Sequence, residues 1–288
     1  MIPEAVPRVL DHQPSRMRRP RRRGLPIWTS APVIVGSLVL LGLLLASLFA
    51  PLPHDPVRPD ALSVLRPPSW DHIFGTDRDG LDVFSRTIAS ASRDVPLALG
   101  GALVSLLIGA PIGLLVSFPT RLADWVMRAL DLFQAFPLVI LAVALVTLTG
   151  NDLQNVVIAI IIINAPRMIR LVRTEALVLR SRRFVEAAHA IGASRSRVLF
   201  RHILPNVTEI MIAQTALAAA QAIVVVAALS FLGVGVSPPD PTWGLMIQSG
   251  SQQISTGQWW VVLFPGLAVV VAVSAFNAIG RGLQEAQR

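Results

Sequence analysis

The chain alternates between long apolar runs and shorter polar ones. Predominantly apolar stretches fall at Ala31 to Pro51, Val95 to Phe118, Trp125 to Leu148, Gln154 to Val172, Val207 to Leu232 and Trp259 to Leu283. Each approaches the ~20 residues that a helix needs to cross a bilayer core. The pattern predicts an all-α membrane protein with six transmembrane helices. The first block is too long for a signal-peptide core and no convincing small-residue cleavage site follows, so it reads as an uncleaved span. Gly100, Gly101, Gly109 and Gly113 predict close helix contact in the second span. Pro166 has no amide hydrogen to donate, so Asn164-Ala165-Pro166 predicts a kink or end in the fourth.

The polar segments fix orientation. Residues 1–30 hold seven arginines, six of them within Arg16 to Arg23, and read as a disordered cytoplasmic tail. Residues 31–52 form the first span and 53–93 a proline-rich outer loop. That loop carries Asp55, Asp60, Asp71, Asp77, Asp79 and Asp82. It lacks the glutamate that closes a calcium loop, so it reads as solvated. Residues 94–284 form a core of spans two to six, with a basic loop at about 174–205. Arg167, Arg170, Arg173, Arg180, Arg182 and Arg183 crowd the end of the fourth span, whereas the 234–258 loop has one Asp and no Arg. The positive-inside rule then places both termini and the basic loop in the cytoplasm.

Composition narrows the chemistry. The chain is 53% hydrophobic and 15% charged, against about 45–50% and ~25% in soluble domains. All 25 basic residues are Arg, and Lys, Tyr and Cys are absent. That excludes a Schiff-base or phosphate-loop lysine, disulfides and thiolate chemistry. The net charge of +8 reads as topogenic arginine rather than a nucleic-acid footprint. His12, His54, His72, His189 and His202 show no ligand spacing of the His-Glu-x-x-His kind, so no metal is assigned. His54 and His72 do share the outer loop with aspartates, which leaves weak nickel capture as a minor reading.

Polar residues inside the spans are the other candidates. Gln214 and Gln221 share a helix face with Ala218, and two readings stand open: amides lining a translocation path, or amides bonding a neighbouring helix. Asp131 is costly in a span, and Arg128, one turn earlier, is its nearest partner in sequence. Asn164 and Asn277 are candidates for the same two roles. A membrane-embedded enzyme needs a second intramembrane carboxylate or a nucleophile with its base, and neither is visible.

The stretch Arg180 to Asn206 carries the mechanism. Phe184, Ala187, Ala188 and Ile191 fall on one apolar stripe, Gly192 supplies a left-handed turn, and Ser194 caps a second short helix. Pro205 suits the first turn of the next span. A helix resting on anionic lipid is the competing reading, but Glu186 and the glycine break favour a soluble protein partner.

Glu186-Ala187-Ala188, then Gly192, then Ile203-Leu204-Pro205 resembles the EAA signature of bacterial ABC import permeases. Phe74-Gly75-Thr76-Asp77 with Asp82, Asp131 with Ala135-Phe136-Pro137, Pro238-Pro239-x-Pro241-x-Trp243-Gly244, and Phe276-Asn277-x-x-Gly280 resemble the dipeptide/oligopeptide/nickel group, C-type subunit. The resemblance runs from about Trp28 to Leu283. It implies the type I importer fold, with a coupling helix between spans four and five that docks on an ATP-binding subunit through Phe184, Glu186, Ala187, Ala188, Gly192, Arg195 and Pro205. It implies a homologous second permease subunit as heterodimer, two ATP-binding subunits that hold ATP and Mg, and an extracytoplasmic binding protein docking near Asp77, Asp82, Pro239 and Trp243. The cargo it implies is peptide, with nickel complexes or haem as alternatives. The chain departs from the family in having Phe184 for Tyr, Ser117 to Arg121 for a Gly-Tyr-rich turn, and Arg281 for an acidic residue.

Overall fold

The computed structural model describes residues 30–150, 153–190, 192–236 and 238–286. The expected basic tail, 1–30, lies outside them apart from Ser30. Ten α-helices occur among the described residues. No strand accompanies them, only one antiparallel bridge between Thr76 and Asp82. The helices are α1 Ala31–Phe49, α2 Val83–Leu115, α3 Arg121–Gln134, α4 Leu138–Thr149 and α5 Leu153–Arg180. Then come α6 Arg183–Ala190, α7 Arg195–Val198, α8 Leu204–Phe231, α9 Trp243–Ser251 and α10 Trp260–Ala286.

Five helices among the described residues, essentially α1, α2, α5, α8 and α10, are long and apolar enough to cross a membrane. The expected third span is the exception. It divides at Ala135-Phe136-Pro137 into α3 and α4, because Pro137 carries no N–H and sits as the cap residue of α4. The 12 residues of α4 rise only about 18 Å, short of the ~30 Å hydrocarbon layer. Ala142 and Val146 nonetheless enter the main core and are fully buried. α3 is amphipathic and leans on the bundle through Ala123, which meets Val116 and Ile169.

Three further boundaries differ from the sequence reading. α2 begins at Val83, a dozen residues before the apolar run, with Asp82 accepting the Ser85 amide at 2.8 Å as its cap. Its polar first turns are not solvated, since Ser85, Arg86, Thr87, Ser90 and Asp94 are buried. α5 passes through Pro166 without ending. Neighbouring helices that hold both halves can offset one missing amide bond. In the 234–258 loop, Thr242 accepts the Leu245 amide at 3.3 Å and starts the unexpected helix α9.

Lipid offers apolar side chains no hydrophobic gain on association, so helices in a bilayer are held by close packing. α2 and α5 show it most clearly. Gly101, Gly109 and Gly113 face α5 at intervals of four or eight residues, with buried Ser105 between them. A β-carbon on Gly113 would stand 2.7 Å from the Ile169 carbonyl oxygen, while one on Gly100 would meet nothing within 4 Å. Of the four expected contact glycines, Gly100 therefore faces away. Gly113→Leu should destabilise the purified protein by about 1–3 kcal/mol or more through overpacking. Gly100→Leu should leave its thermal unfolding in detergent unchanged or slightly improved.

Candidate coupling and translocation sites

The basic loop is built on the far ends of α2, α5 and α8. Val185 and Ala188 of α6 turn inward onto a cluster holding Ala110, Val172, Ala176 and Val207. The opposite face presents Phe184, Glu186 and Ala187 to solvent. The expected apolar stripe is thus divided. Ala188 points in, Phe184 and Ala187 point out, Val185 does the inward packing, and Ile191 lies outside the described residues. Burying two small or medium side chains costs little side-chain entropy and fixes α6 on α5 and α8.

Gly192 has φ +83°, the left-handed value a Cβ disfavours, and nothing crowds it. Its requirement is backbone conformation, not space. The Ala193 amide donates to Ala188 O at 3.0 Å and closes α6. Ser194 Oγ accepts the Arg197 amide at a long 3.4 Å. Arg195 opens α7, and its side chain lies outside the described residues. A π-type turn, Leu199–Ile203, leads into α8 with Pro205 in its first turn. Beside α6, Ser194, Ser196, Arg197, Phe200 and Arg201 line an open hollow of about 610 Å³.

The intramembrane candidates do not converge on one point. Asp131 pairs with Arg170 of α5 at 2.7 Å, not with Arg128, whose guanidinium lies over the Trp125 ring. Helical neighbours were the wrong place to look, because a contact between α3 and α5 supplied a better partner. Gln214 Oε1 accepts from Gln284 Nε2 of α10 at 3.4 Å, a helix-to-helix bond. Gln221 Oε1 accepts from Arg167. That pair lines a cleft of about 520 Å³ with Gln134, Phe136 and Ile163. Asn164 is buried with its Nδ2 unpartnered, and Asn277 is half-buried on α10.

At the opposite end the expected docking residues prove mostly internal. Asp77 Oδ1 accepts the amides of Asp79 and Leu81, each at 2.9 Å. Desolvation raises its carboxyl above the usual range, opposed by those amides and by Arg86. Asp82 is buried at the α2 cap, and Trp243 is wholly buried. Only Pro239 of the four is exposed. The solvated-loop expectation therefore fails for Asp77 and Asp82. These two side chains, with that of Trp243, shape the surface from beneath rather than offering themselves as contacts. Trp243 donates its backbone N–H to Asp94 Oδ2 and its indole N–H to Thr87 O, both at 2.9 Å. Arg93 pairs with Asp240 at 2.8 Å.

Residues 87–288 match the model of a family described as "Binding-protein-dependent transport system inner membrane component". The chain belongs to that family. It is 38% identical over 256 residues to the dipeptide transport system permease protein DppC of Alkalihalophilus pseudofirmus, covering 88% of this chain and 84% of that one. It is 39% identical over 260 residues to the di/tripeptide transport system permease protein DppC of Pseudomonas aeruginosa, covering 87% and 86%. The protein is a multi-pass membrane permease component with the type I ABC permease fold.

Sequence reasoning missed several residues of this permease. Arg167 and Gln134 enter the cleft by tertiary packing, although Arg167 stood visible as a charge one residue past Pro166. Arg93 reads as the end of the outer loop, and Asp94, at the first position of the expected core, is not among the site candidates. Their signal was the capping aspartate at 82, from which a helix register can be counted forward. Trp243→Phe removes the indole N–H that donates to the Thr87 carbonyl and leaves a smaller ring in a fully buried site, and should lower stability by about 1–3 kcal/mol in detergent unfolding. Trp243→Ala should cost about 3–5 kcal/mol.

Proposed function

We propose that the chain is one of two homologous permease subunits of an ATP-driven importer for short peptides in the bacterial plasma membrane. The observation that carries the coupling is α6. Its inner face is buried on α5 and α8, while Phe184, Glu186 and Ala187 remain free for a partner. A partner that moves α6 must therefore move the ends of two membrane helices with it. That is what an ATP-binding subunit needs in order to switch a transport path between two states.

In this reading the ATP-binding subunits bind ATP and Mg, and this chain is a non-catalytic subunit. Glu186 supplies the charged contact, Gly192 the turn that lets α7 leave α6, and Arg195 and Pro205 complete the loop. Both termini share the cytoplasmic side with α6. The support for that end is a cluster in which Val33 of α1, Ala213 of α8 and Leu283 of α10 meet. The exposed flank carrying Leu132, Phe136 and Ile140 faces the second permease subunit or lipid, and the cleft at Arg167 and Gln221 opens toward the path. The loaded binding protein docks on the opposite end, around Pro239 and Asp240. The peptide cargo rests on the relatives, which are named for dipeptide and di/tripeptide transport.

Reconstituting the full complex in proteoliposomes tests the reading. ATP-driven uptake of a labelled dipeptide should fall by about tenfold or more in Glu186→Ala, within the range of typical coupling energies. Gly192→Pro should abolish it. Undiminished uptake in both variants would overturn the role of α6. Binding-protein-dependent uptake of another solute, with none of peptide, would overturn the cargo.

A further inference from the structure

The outer loop brings together three side chains with metal-ligand chemistry that the transport reading does not use. His54 follows α1, and Asp71 and His72 stand in the turn before α2. Their ligand atoms all lie within 4.8 Å of one another. Asp71 Oδ1 is 3.9 Å from His54 Nε2, and Asp71 Oδ2 is 3.7 Å from His72 Nε2. The two imidazoles stack with centroids 4.3 Å apart, so both Nε2 atoms face the same carboxylate.

Behind them sits Asp82. Its Oδ1 is 2.9 Å from His72 Nδ1 and 3.8 Å from His54 Nδ1. A carboxylate there calls for a proton on His72 Nδ1 and leaves the lone pair on Nε2, aimed at Asp71. An outer carboxylate that orients ligating imidazoles through their other nitrogen is the usual support of a histidine metal site. His54 Nδ1 is buried and has no hydrogen-bond partner. A ring held in place with one nitrogen unsatisfied and the other turned to a carboxylate is poorly explained by packing alone.

We propose that His54, Asp71 and His72 bind a borderline first-row dication of the zinc or nickel class, with Asp82 as the positioning residue. Two neutral imidazoles and one carboxylate suit such ions, whereas calcium and magnesium demand more oxygen ligands. Metal-ligand bonds of about 2.0–2.2 Å place tetrahedral donors roughly 3.4 Å apart, so the Asp71 contacts must close by a few tenths of an ångström and the two imidazoles, stacked with centroids 4.3 Å apart, must tilt toward one another. Asp71, with its side chain 74% exposed, supplies its share of that shift, the half-buried His54 ring supplies the tilt, and the site stays open to solvent. Bound metal would fasten the segment after α1 to the cap of α2, because Asp82 Oδ2 also accepts the Ser85 amide. The site is thus a staple for the outer loop, independent of which solute crosses. The sequence showed no such spacing because His54 and His72 meet only through the fold.

The test is calorimetric titration of Zn²⁺, and separately Ni²⁺, into the tag-free full-length chain in its complex, stripped with a chelator beforehand. One equivalent should bind. His54→Ala and the surface change Asp71→Asn should each weaken binding by about tenfold or more, and the metal should raise the melting temperature of the wild-type protein only. No saturable binding, or equal affinity in wild type and both variants, would overturn the assignment. Asp71→Asn touches an exposed side chain, so its result does not hinge on refolding of the loop.

Discussion

Close approach of α2 and α5 is the contact on which the rest of the permease depends. Gly101, Ser105, Gly109 and Gly113 remove side-chain bulk from one face of α2, so α5 lies against it almost backbone to backbone. In lipid, such packing supplies much of the attraction that soluble proteins draw from burial of apolar surface. The consequence is mechanical. At one end α2 carries the buried anchor for Trp243 and the loop that follows α8, through Asp94 and Thr87. At the other end its Ala110 and Leu114 share a cluster with Val185 and Ala188 of α6. One seam therefore joins the Trp243 end of the bundle to α6.

That arrangement gives the sequence features separate tasks. Val185 and Ala188 are structural and tie α6 to the seam, while Phe184, Glu186 and Ala187 are left on the surface. Gly192 is needed for its backbone angle and not for room. At the other end of the bundle, Asp77, Asp82 and Trp243 are buried supports, and the surface they hold in shape is made by other residues. The polar residues of the spans divide likewise. Gln214 reaches across to α10, Asp131 is paired with Arg170, and Gln221 with Arg167 stands in the cleft.

Five long apolar helices, the all-α class, and the helix–glycine–helix break of the basic loop were legible in the sequence, because each rests on local pattern alone. Hydropathy sums over about 20 residues, and capping acts within four. What stayed hidden depended on partners far along the chain. The first turns of α2 carry Arg86 and Arg93, which read as loop, and Asp94 at the edge of the expected core; Pro56, Asp240 and Trp243 satisfy them. The division of the third span hung on a single Pro137 inside an apolar run, and the persistence of α5 on packing at Pro166. Local rules gave opposite weight to those two prolines, and tertiary contact decided both.

Rigid transmission through the α2–α5 seam is the central claim, and the absence of native cysteine makes it directly measurable. Spin labels on Leu107→Cys, an exposed position on α2, and Ala187→Cys, on the free face of α6, report the distance between them by pulsed electron resonance in the reconstituted complex. If α6 and the seam move as one body, that distance is the same without nucleotide and with ATP bound. A change of several ångströms between the two states would show that α6 moves independently of the seam and would contradict the account.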